Sequence, residues 1–336
     1  MHSQKEPIDA VISWVDGDDP EHQKRRLAAL KKTEREAKNT LPSGFDATRF
    51  TDNDEIQFCI ASILKFAPWI RNIYVVTDNQ VPGFLTPGFM EKHNIHIIDH
   101  KDIFRSYEWA LPTFNTRTID TALWRIPGIA PYFINFNDDF VFTGKVRPDD
   151  FFEGEKPVLR GTWKPIQKYS PLRLKANDVF SSLTKKLFGI TRSMHNLLQV
   201  RSAELAGYKE QYFHIPHVPH PIRTKTLADF FEVHPHMFDE NIKYQFRSTD
   251  QFSAIFLAGH LELMKEEAVL KNTDHYLMIH GEMDVSLALR KKLNKLRNED
   301  IRFTCLQSME KFTPKKRQKV EQVMKEILAG SDVPFS

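Results

Sequence analysis

Short apolar runs that alternate with helical segments restrict this chain to a small set of folds. Between the first two runs lie a highly charged segment at 21–38 and an apolar segment at 54–66, both with helical spacing. The runs are rich in β-branched and aromatic residues and occupy 9–15, 73–77, 95–99 and 132–142. Strands that alternate with helices predict an α/β domain with a largely parallel sheet.

Three of these runs lead directly into acidic residues. Asp16 follows the first run, Asp78 follows the second, and Asp138 and Asp139 lie within the fourth. In open α/β sheets, ligands bind beyond the carboxyl ends of the strands, so these acids are expected to share one crevice. Aspartate is also common in turns and helix caps, and for each acid alone that role is an alternative.

The Asn137-Asp138-Asp139 segment has the form of a divalent-cation site. Carboxylate oxygens suit Mg²⁺ or Mn²⁺, whose coordination is completed by water and substrate phosphates. In an extended strand neighbouring side chains point to opposite faces, so we expect one acid to bind the metal and the other to support it. The sequence contains no GxxxxGK[ST] phosphate loop and no GxGxxG after a strand, which disfavours kinase and dinucleotide-binding folds.

Histidines and prolines alternate in HIPHVPHPIR at 214–223. Prolines exclude a regular helix here, and a polyproline-like conformation would align His214, His217 and His220 along one edge. General acid/base chemistry, metal ligation and a structural role all remain open for them. Arg247 is a candidate phosphate clamp, although an isolated arginine is more often at the surface or in a salt bridge.

Charge is distributed unevenly along a chain whose net charge is only +3. Between Lys156 and Arg192 the single acid is Asp178. The basic residues of this stretch are Lys156, Arg160, Lys164, Lys168, Arg173, Lys175, Lys185, Lys186 and Arg192. Such a block can hold substrate phosphates, an acidic polymer or anionic lipid, or be a solvated face.

The remaining composition predicts a cytoplasmic protein. No stretch approaches the roughly 20 apolar residues of a membrane-spanning helix, and the first ten residues lack a secretory pattern. Cys59 and Cys305 are expected to be reduced thiols, too few for a disulfide framework. An amphipathic helix near 313–329 is expected to pack its apolar face into the core.

Several longer segments carry a family pattern. They are IDAVISWVDGDDP at 8–20, the segment from Arg49 to VPGFL at 81–85, LPTFNTRTIDTALWRIPGIAPYFINFNDDFVF at 111–142, HIPHVPHPI with KYQFRSTDQF, and, more weakly, FTCLQSMEKFTPKKRQKVEQVM. Together they resemble the Stealth family of sugar-phosphotransferases. Where that family usually has Asn-Asp after Cys-Leu, this chain has Gln307 and Ser308, and the family's Ser-x-Phe-Glu ending is absent.

The resemblance implies a glycosyltransferase-A-like (Rossmann-like) α/β core with family-specific helical additions, in one catalytic domain over 1–336. Residues 7–152 would form the nucleotide-sugar and metal part, 153–213 a basic insertion, and 214–336 the catalytic histidine and arginine segment with C-terminal helices. It also implies a UDP-sugar donor and Mg²⁺, with Mn²⁺ as an alternative.

The family's functional positions map onto individual residues of this chain. The resemblance implies catalytic roles for His217, Arg247, Asp120 and Asp138, and a metal site at Asp138 and Asp139. It places the nucleotide-sugar site at Trp14, Asp16, Gly17, Asp78, Gln80 and Asn115. A histidine with a pKa near neutrality would suit the role of general base.

The predicted reaction is transfer of a hexose-1-phosphate from a UDP-sugar to a saccharide hydroxyl in capsule-type polymer synthesis, with release of UMP. We expect Lys164, Lys168 and Arg173 to contact an oligosaccharide or phosphate-containing acceptor, and we expect no nucleic-acid partner. Peripheral contact with the inner face of the cytoplasmic membrane is compatible with this prediction. The alternatives are a conventional glycosyltransferase that releases UDP and a non-catalytic polyanion-binding protein.

Overall fold

A computed structural model describes residues 6–36, 55–166 and 195–335 of the chain. The helices in these ranges are Pro20–Glu36 (α1), Glu55–Phe66 (α2), Pro87–His93 (α3), His100–Ile103 (α4), Thr116–Ala122 (α5), His195–Leu205 (α6), Thr224–Val233 (α7), Pro235–Ile242 (α8), Ala254–Met264 (α9), Ser286–Asn298 (α10) and Pro314–Leu328 (α11). The strands are Ile8–Ser13 (β1), Ile73–Thr77 (β2), Ile95–Asp99 (β3), Tyr132–Asn137 (β4), Phe140–Phe142 (β5), Phe152–Glu153 (β6), Lys156–Arg160 (β7), Thr162–Pro165 (β8), Gln211–His214 (β9), His220–Arg223 (β10), Val269–Lys271 (β11), Tyr276–His280 (β12) and Phe303–Gln307 (β13).

A five-stranded sheet in the order β10-β4-β1-β2-β3 organises the fold. Strands β4, β1, β2 and β3 are parallel, and β10 joins the β4 edge in the antiparallel direction. The prediction of an α/β class with a largely parallel sheet is therefore confirmed. The antiparallel β10 comes from the histidine-proline segment, so this segment is joined directly to the central sheet.

Both faces of the central sheet are buried, which explains why its strands are continuous apolar runs. Ala10 and Ile12 of β1 pack into a core that includes α2 and α11. Val11, between them, points to the opposite face and packs with residues of α5, α7, α8 and α9. Successive side chains of a strand point to opposite faces, so one short strand contributes to two cores.

The apolar run at 132–142 forms two strands rather than one. Strand β4 ends at Asn137, Asp138 and Asp139 form a turn, and β5 begins at Phe140. Strand β5 belongs to a second sheet in the order β12-β13-β5. The expectation that Asp138 and Asp139 alternate across one extended strand is wrong, because the chain turns at these residues to pass from one sheet to the other.

The helices agree closely with the periodicity of the sequence. Helix α2 spans the apolar segment, and α11 buries Val320, Val323, Met324 and Leu328 in the core. Residues 51–53, whose side-chain oxygens would suit the N-terminal cap of α2, lie outside the described residues. No helix in the described ranges is both long and apolar enough to span a bilayer.

Low pH should reduce the folding stability of the protein, because buried histidines stay unprotonated in the folded state. Burial lowers the pKa of His220 to about 3 and that of His100 to about 4. An unfolded histidine titrates near pH 6.5, so below that pH the unfolded chain binds protons that the folded chain does not. Stability should therefore fall as the pH drops from about 6.5 towards 4, by at most about 1.4 kcal/mol per pH unit for each group.

The substitution His220→Phe tests this expectation, because the ring lies between Phe140 and Phe256 and phenylalanine matches that apolar environment. Urea unfolding at pH 7.5, 6 and 5 should show a shallower loss of stability in the variant than in the wild type. Equal slopes for the two proteins would show that His220 does not couple protonation to unfolding.

Candidate functional site

The acids that follow the central strands lie at one edge of the sheet. Strand β1 lies between β4 and β2, with Ser13 paired to Asn137 and to Val76. The residues that follow these three strands include Asp16, Asp78 and Asp138, so they emerge side by side. This neighbourhood was predicted from the alternating pattern and the parallel order.

Asp139 is held in the turn between β4 and β5 by contacts with β13. Its carbonyl oxygen accepts a hydrogen bond from the Leu306 amide at 2.9 Å, and its carboxylate oxygen Oδ2 lies 3.5 Å from the Cys305 thiol. The other carboxylate oxygen, Oδ1, is buried and has no hydrogen-bond partner among the described residues. Burial raises the pKa of Asp139 to about 6, because a buried carboxylate is disfavoured without a compensating charge.

The donor set at this turn fits a hard divalent cation that substrate phosphates help to bind. The described residues contain no cluster of three or more histidine, cysteine or acidic side chains that would enclose a metal. Mg²⁺ commonly takes only one or two carboxylates from a protein and completes its shell with water and phosphate. The unpartnered oxygen of Asp139, next to Asp138, meets that requirement.

Two buried thiols flank the acid pair. The Cys59 thiol lies 3.8 Å from the Asn137 carbonyl oxygen, and Cys305 contacts Asp139. Both cysteines are free, as predicted. Burial, together with the nearby carboxylates of Asp138 and Asp139, raises the pKa of each thiol well above its usual value. The thiols are therefore protonated, and they act here as small neighbours of the acids rather than as nucleophiles.

His217 is half-buried close to the acid pair. Its ring lies 6.5 Å from the ring of Phe140, the residue that follows Asp139. Burial, assisted by His214 and His280, lowers the pKa of His217 to about 4. The expectation of a pKa near neutrality is not met, because the pocket that positions the ring also removes water from it. At neutral pH the ring is uncharged and able to accept a proton.

The histidines of the 214–223 segment do not form a polyproline row. His214 lies in β9, which pairs with β8, and His220 begins β10 in the central sheet. Between them, the Val218 amide donates to the Pro216 carbonyl at 2.9 Å and closes a turn that contains His217. The exclusion of a helix was right, but strand pairing at both ends overrides the three-residue repeat.

Helix α5 contains Asp120 and contacts Arg247 at its first turn. The Arg247 guanidinium Nη2 lies 3.3 Å from Thr116 Oγ1, in the first turn of α5. Asp120 lies one turn later, with one carboxylate oxygen buried and without a hydrogen-bond partner among the described residues, and burial raises its pKa to about 7. Phe114, just before α5, packs with Val15, just after β1.

Gln251 holds the Arg247 loop against α5. Its side-chain oxygen accepts from Asn115 Nδ2 at 2.9 Å and from the Ser248 amide at 3.1 Å. Its side-chain nitrogen donates to Thr118 Oγ1 at 3.2 Å and to the Asn241 carbonyl at 2.8 Å. The four partners of this buried amide come from α5 and its N-cap, from α8 and from the segment that contains Arg247. Gln251 therefore positions Arg247 without facing the crevice itself.

Replacing Gln251 with alanine should lower stability by about 1–3 kcal/mol, because buried donors and acceptors lose their partners. The matched control is Gln245→Ala, whose half-buried side chain makes one hydrogen bond at the surface, to the Pro112 carbonyl at 3.0 Å. Urea unfolding of both variants measures the difference. A loss for Gln251→Ala no larger than that for the control would contradict the buried network.

The predicted nucleotide-sugar residues divide into half-buried and buried positions. The Gln80 side-chain oxygen accepts from the Asp16 amide, and its side-chain nitrogen donates to the Asp16 carbonyl, both at 2.9 Å. These two hydrogen bonds join the loop after β1 to the loop after β2. Asp78 pairs with Arg25 of α1 at 2.7 Å. Asn115 is fully buried and caps α5, so its side chain has no surface for a nucleotide, and any effect on the donor is indirect. Trp14 and Gly17 are buried in the same loop.

The basic stretch is only partly covered by the structure. Lys164 lies in β8, whereas Lys168 and Arg173 fall outside the described residues. Arg160 is buried in β7, 4.7 Å from the Phe303 ring and 3.7 Å from Asp150. Arg160 is therefore part of the protein interior and is not available to an acceptor.

Sequence reasoning missed Tyr276 and His280 of β12. The pKa of Tyr276 is raised mainly by burial and further by Cys305 and Asp139, and His280 lies close enough to His217 to lower its pKa. No local motif marks these residues. Their proximity arises because β12 pairs with β13, which pairs with β5 directly after the acid pair.

Two family models match the chain. Stealth protein CR1, conserved region 1, matches residues 6–34, and Stealth protein CR2, conserved region 2, matches residues 49–158. These regions contain β1 to β6 and the first three residues of β7, including the acid pair and Asp120. The third and fourth regions suggested by resemblance stay predictions.

Curated relatives carry names of one kind. The chain is 32% identical over 229 residues to an exopolysaccharide phosphotransferase of Streptomyces coelicolor, covering 68% of this chain and 22% of the relative. It is 28% identical over 272 residues to exopolysaccharide phosphotransferase cps2G of Lactiplantibacillus plantarum, covering 76% and 75%. It is 30% identical over 301 residues to CpsY of Mycobacterium tuberculosis, covering 89% and 52%. The chain thus spans less than a quarter of the first relative and about half of the third.

Similar solved structures are glycosyltransferases. One is the galactosyltransferase LgtC in complex with donor and acceptor sugar analogs, with 9% identity and a TM-score of 0.44 over 98% of each chain. Another is the bifunctional glycosyltransferase WbbM, with 13% identity and a TM-score of 0.42, covering 97% of this chain and 50% of WbbM. The chain thus contains conserved regions 1 and 2 of the Stealth proteins.

Proposed function

We propose that this protein transfers a hexose-1-phosphate from a UDP-sugar to a saccharide hydroxyl during synthesis of a capsular or extracellular polysaccharide, and releases UMP. The observation that carries the proposal is the meeting of the acid pair Asp138-Asp139 with His217 at the carboxyl edge of the sheet. Curated relatives named exopolysaccharide phosphotransferases support the same class of reaction.

In the proposed reaction the acceptor hydroxyl oxygen attacks the β-phosphorus of the UDP-sugar. A new P–O bond forms to the acceptor, and the bond from the β-phosphorus to the bridging oxygen breaks. UMP leaves with that oxygen, and the bond between the sugar and its phosphate stays intact. Reactions of this kind depend mainly on alignment and on stabilisation of phosphate charge.

Each role is assigned to a residue whose position suits it. His217, uncharged at neutral pH, accepts the hydroxyl proton through its ring nitrogen. Arg247, held over the start of α5, binds phosphoryl oxygens of the transferred group. Asp139, with Asp138 beside it, would hold Mg²⁺ or Mn²⁺. The bound cation supplies positive charge to the diphosphate and to the departing UMP.

Asp120 would assist at the same edge of the crevice. Its carboxyl group, with a pKa raised to about 7 by burial, is able to exchange a proton or to stabilise a nearby cation. Asp16, whose backbone is hydrogen-bonded to Gln80, and Asp78, which pairs with Arg25, would border the nucleotide.

The acceptor and the location of the protein complete the proposal. We place the protein in the cytoplasm, in peripheral contact with the inner face of the membrane. The acceptor, an oligosaccharide or a phosphate-containing polysaccharide, would bind on the side of β8.

Replacing Lys164 with glutamine should then lower kcat/KM for long acceptors more than for short ones. Equal losses for short and long acceptors, measured as kcat/KM, would count against contact with the polymer.

The decisive experiment is product analysis. Purified protein is incubated with a panel of UDP-sugars, Mg²⁺ and oligosaccharide acceptors, and UMP and UDP are quantified separately. Release of UMP with a phosphodiester product supports phosphotransfer. Release of UDP identifies a conventional glycosyltransferase. Salt-sensitive binding of polyanions without turnover identifies a binding protein.

A further inference from the structure

An exposed apolar tip follows the strand that contains His280. Met283, Val285 and Leu287 are 65%, 66% and 65% exposed, and they occupy alternate positions within five residues. Only eleven large hydrophobic side chains are exposed in the described part of the chain, and three of them are in this tip. Scattered exposed apolar residues are ordinary, whereas a cluster of this kind marks an interaction surface.

A buried carboxylate, that of Asp284, anchors the tip to the rest of the protein. Asp284 is 6% exposed, receives two hydrogen bonds of 2.7 and 2.8 Å from Lys292, and accepts from the His280 amide at 2.9 Å. Lys316 Nζ lies 3.2 Å from the Asp284 carbonyl oxygen and ties α11 to the tip.

The backbone of the tip also satisfies its own hydrogen bonds. The amides of Met283 and Asp284 donate to the His280 carbonyl, at 3.2 and 2.9 Å, and the Val285 amide donates to the Met283 carbonyl. Gly281 permits the close approach, since a Cβ there would lie 1.8 Å from the Ser308 carbonyl oxygen. The apolar side chains therefore point outward from a backbone whose hydrogen bonds are largely satisfied within the protein.

Basic residues surround the apolar tip. On α10, Leu287 shares its outward face with Arg290 and Lys291, three and four positions later, while Leu289 and Leu293 face the core. Lys311 lies against Gly281, and the exposed Lys315 lies in the first turn of α11 beside Lys316. None of Arg290, Lys291 and Lys315 forms an ion pair within the described ranges. The tip also contains one partly exposed acid, Glu282, but the exposed cations Arg290, Lys291 and Lys315 outnumber it. Apolar side chains flanked by such an excess of positive charge match a bilayer surface with anionic headgroups.

From these observations, we propose that Met283, Val285 and Leu287, with the flanking cations of α10 and α11, form a docking surface for an anionic lipid membrane. The apolar side chains enter the boundary between headgroups and acyl chains, and the cations contact lipid phosphates. The tip begins three residues after His280, so docking would place the candidate site beside the membrane surface. This inference rests on the proposed peripheral location and is independent of the transfer chemistry.

Vesicle sedimentation tests the surface without measuring turnover, so its failure is separate from failure of the phosphotransfer proposal. The wild type should bind vesicles of phosphatidylglycerol and phosphatidylcholine far more strongly than vesicles of phosphatidylcholine alone. Replacing Met283, Val285 and Leu287 with serine should weaken binding at least about tenfold. The matched control replaces Leu27, Leu270 and Val233, three exposed apolar residues elsewhere, with serine and should bind as the wild type does.

A second pair of variants tests how much the positive charges contribute to vesicle binding. Arg290→Gln with Lys291→Gln should weaken binding to anionic vesicles about 25-fold, since each cation near such a surface contributes about fivefold. Lys31→Gln with Lys32→Gln, the same charge change on α1, should have little effect. Equal binding to neutral and anionic vesicles, or equal losses in the test and control variants, would overturn the proposal. So would a dimer of the wild type that the serine variant dissociates, because the surface would then belong to a second copy of the chain.

Discussion

Replacing His217 with alanine is expected to lower kcat by about 10²- to 10⁴-fold, the usual contribution of a general base, while UDP-sugar binding stays nearly unchanged. The ring is uncharged at neutral pH because burial lowers its pKa to about 4, and it lies beside the residue that follows the acid pair. Turnover measured with saturating donor, and donor affinity measured by calorimetry, separate the two effects.

The matched control is His214→Ala, three positions earlier. His214 is also half-buried and has a lowered pKa, but its strand pairs with β8 and its ring contacts Tyr212. Its replacement should change kcat by only a few fold. Near-normal turnover of His217→Ala would reject His217 as the base, and equal losses in both variants would point to a disturbed segment.

Replacing Asp139 with asparagine should abolish turnover and Mn²⁺ binding while making the metal-free protein more stable. The amide keeps the shape of the side chain but removes the charge that a cation requires. Because burial raises the pKa of Asp139 from 3.8 to about 6, holding it ionised at pH 7 costs the folded protein at most about 3 kcal/mol. Folding stability that rises when activity is lost is typical of a residue retained for function.

The sign of this stability effect gives a second check. A carboxyl whose folded pKa is raised costs stability above its unfolded pKa, and the cost is relieved as the pH falls through the folded pKa. The gain from Asp139→Asn should therefore be largest at pH 7 and above and should shrink below pH 6. Electron paramagnetic resonance measures Mn²⁺ binding, and urea unfolding measures the change in stability.

The control Asp239→Asn, at an exposed position on α8, should change neither Mn²⁺ binding nor stability. Unchanged Mn²⁺ binding in Asp139→Asn would show that the cation binds at another site.

The two departures from the family pattern lie next to this site. Gln307 ends β13 and pairs with His280, and Ser308 adopts a left-handed backbone with a φ of 58°. Asparagine and aspartate favour that conformation more than serine does, so the usual Asn-Asp pair suits the local backbone better. The surrounding contacts, including the approach of Gly281 to the Ser308 carbonyl, hold the turn in place with serine.

Local pattern predicted the parts of the fold that depend on local physics. The apolar runs predicted β1 to β4 because a parallel sheet covered on both faces requires continuous apolar strands. The convergence of Asp16, Asp78 and Asp138 followed from strand direction alone. Helices α2 and α11 followed from the spacing of their apolar residues.

Site details that depend on distant pairing were not predictable in this way. The break of the 132–142 run at Asp138 depends on β5 pairing with β13, more than 160 positions later. The same pairing sets Cys305 against Asp139 and brings Tyr276 towards the acids. Burial then moved the pKa of His217 away from neutrality, a shift that no residue type specifies by itself.

The sequence by itself determined the α/β class, the parallel order that gathers the strand-end acids, the reduced thiols and the Stealth resemblance, because periodicity and motif spacing are local properties of the chain. Only the tertiary structure decided which atoms of those acids are left without partners, which histidine is uncharged beside them, and which apolar residues stay exposed on the tip after β12. Burial and long-range strand pairing set these properties, and both arise from contacts between segments far apart in the chain.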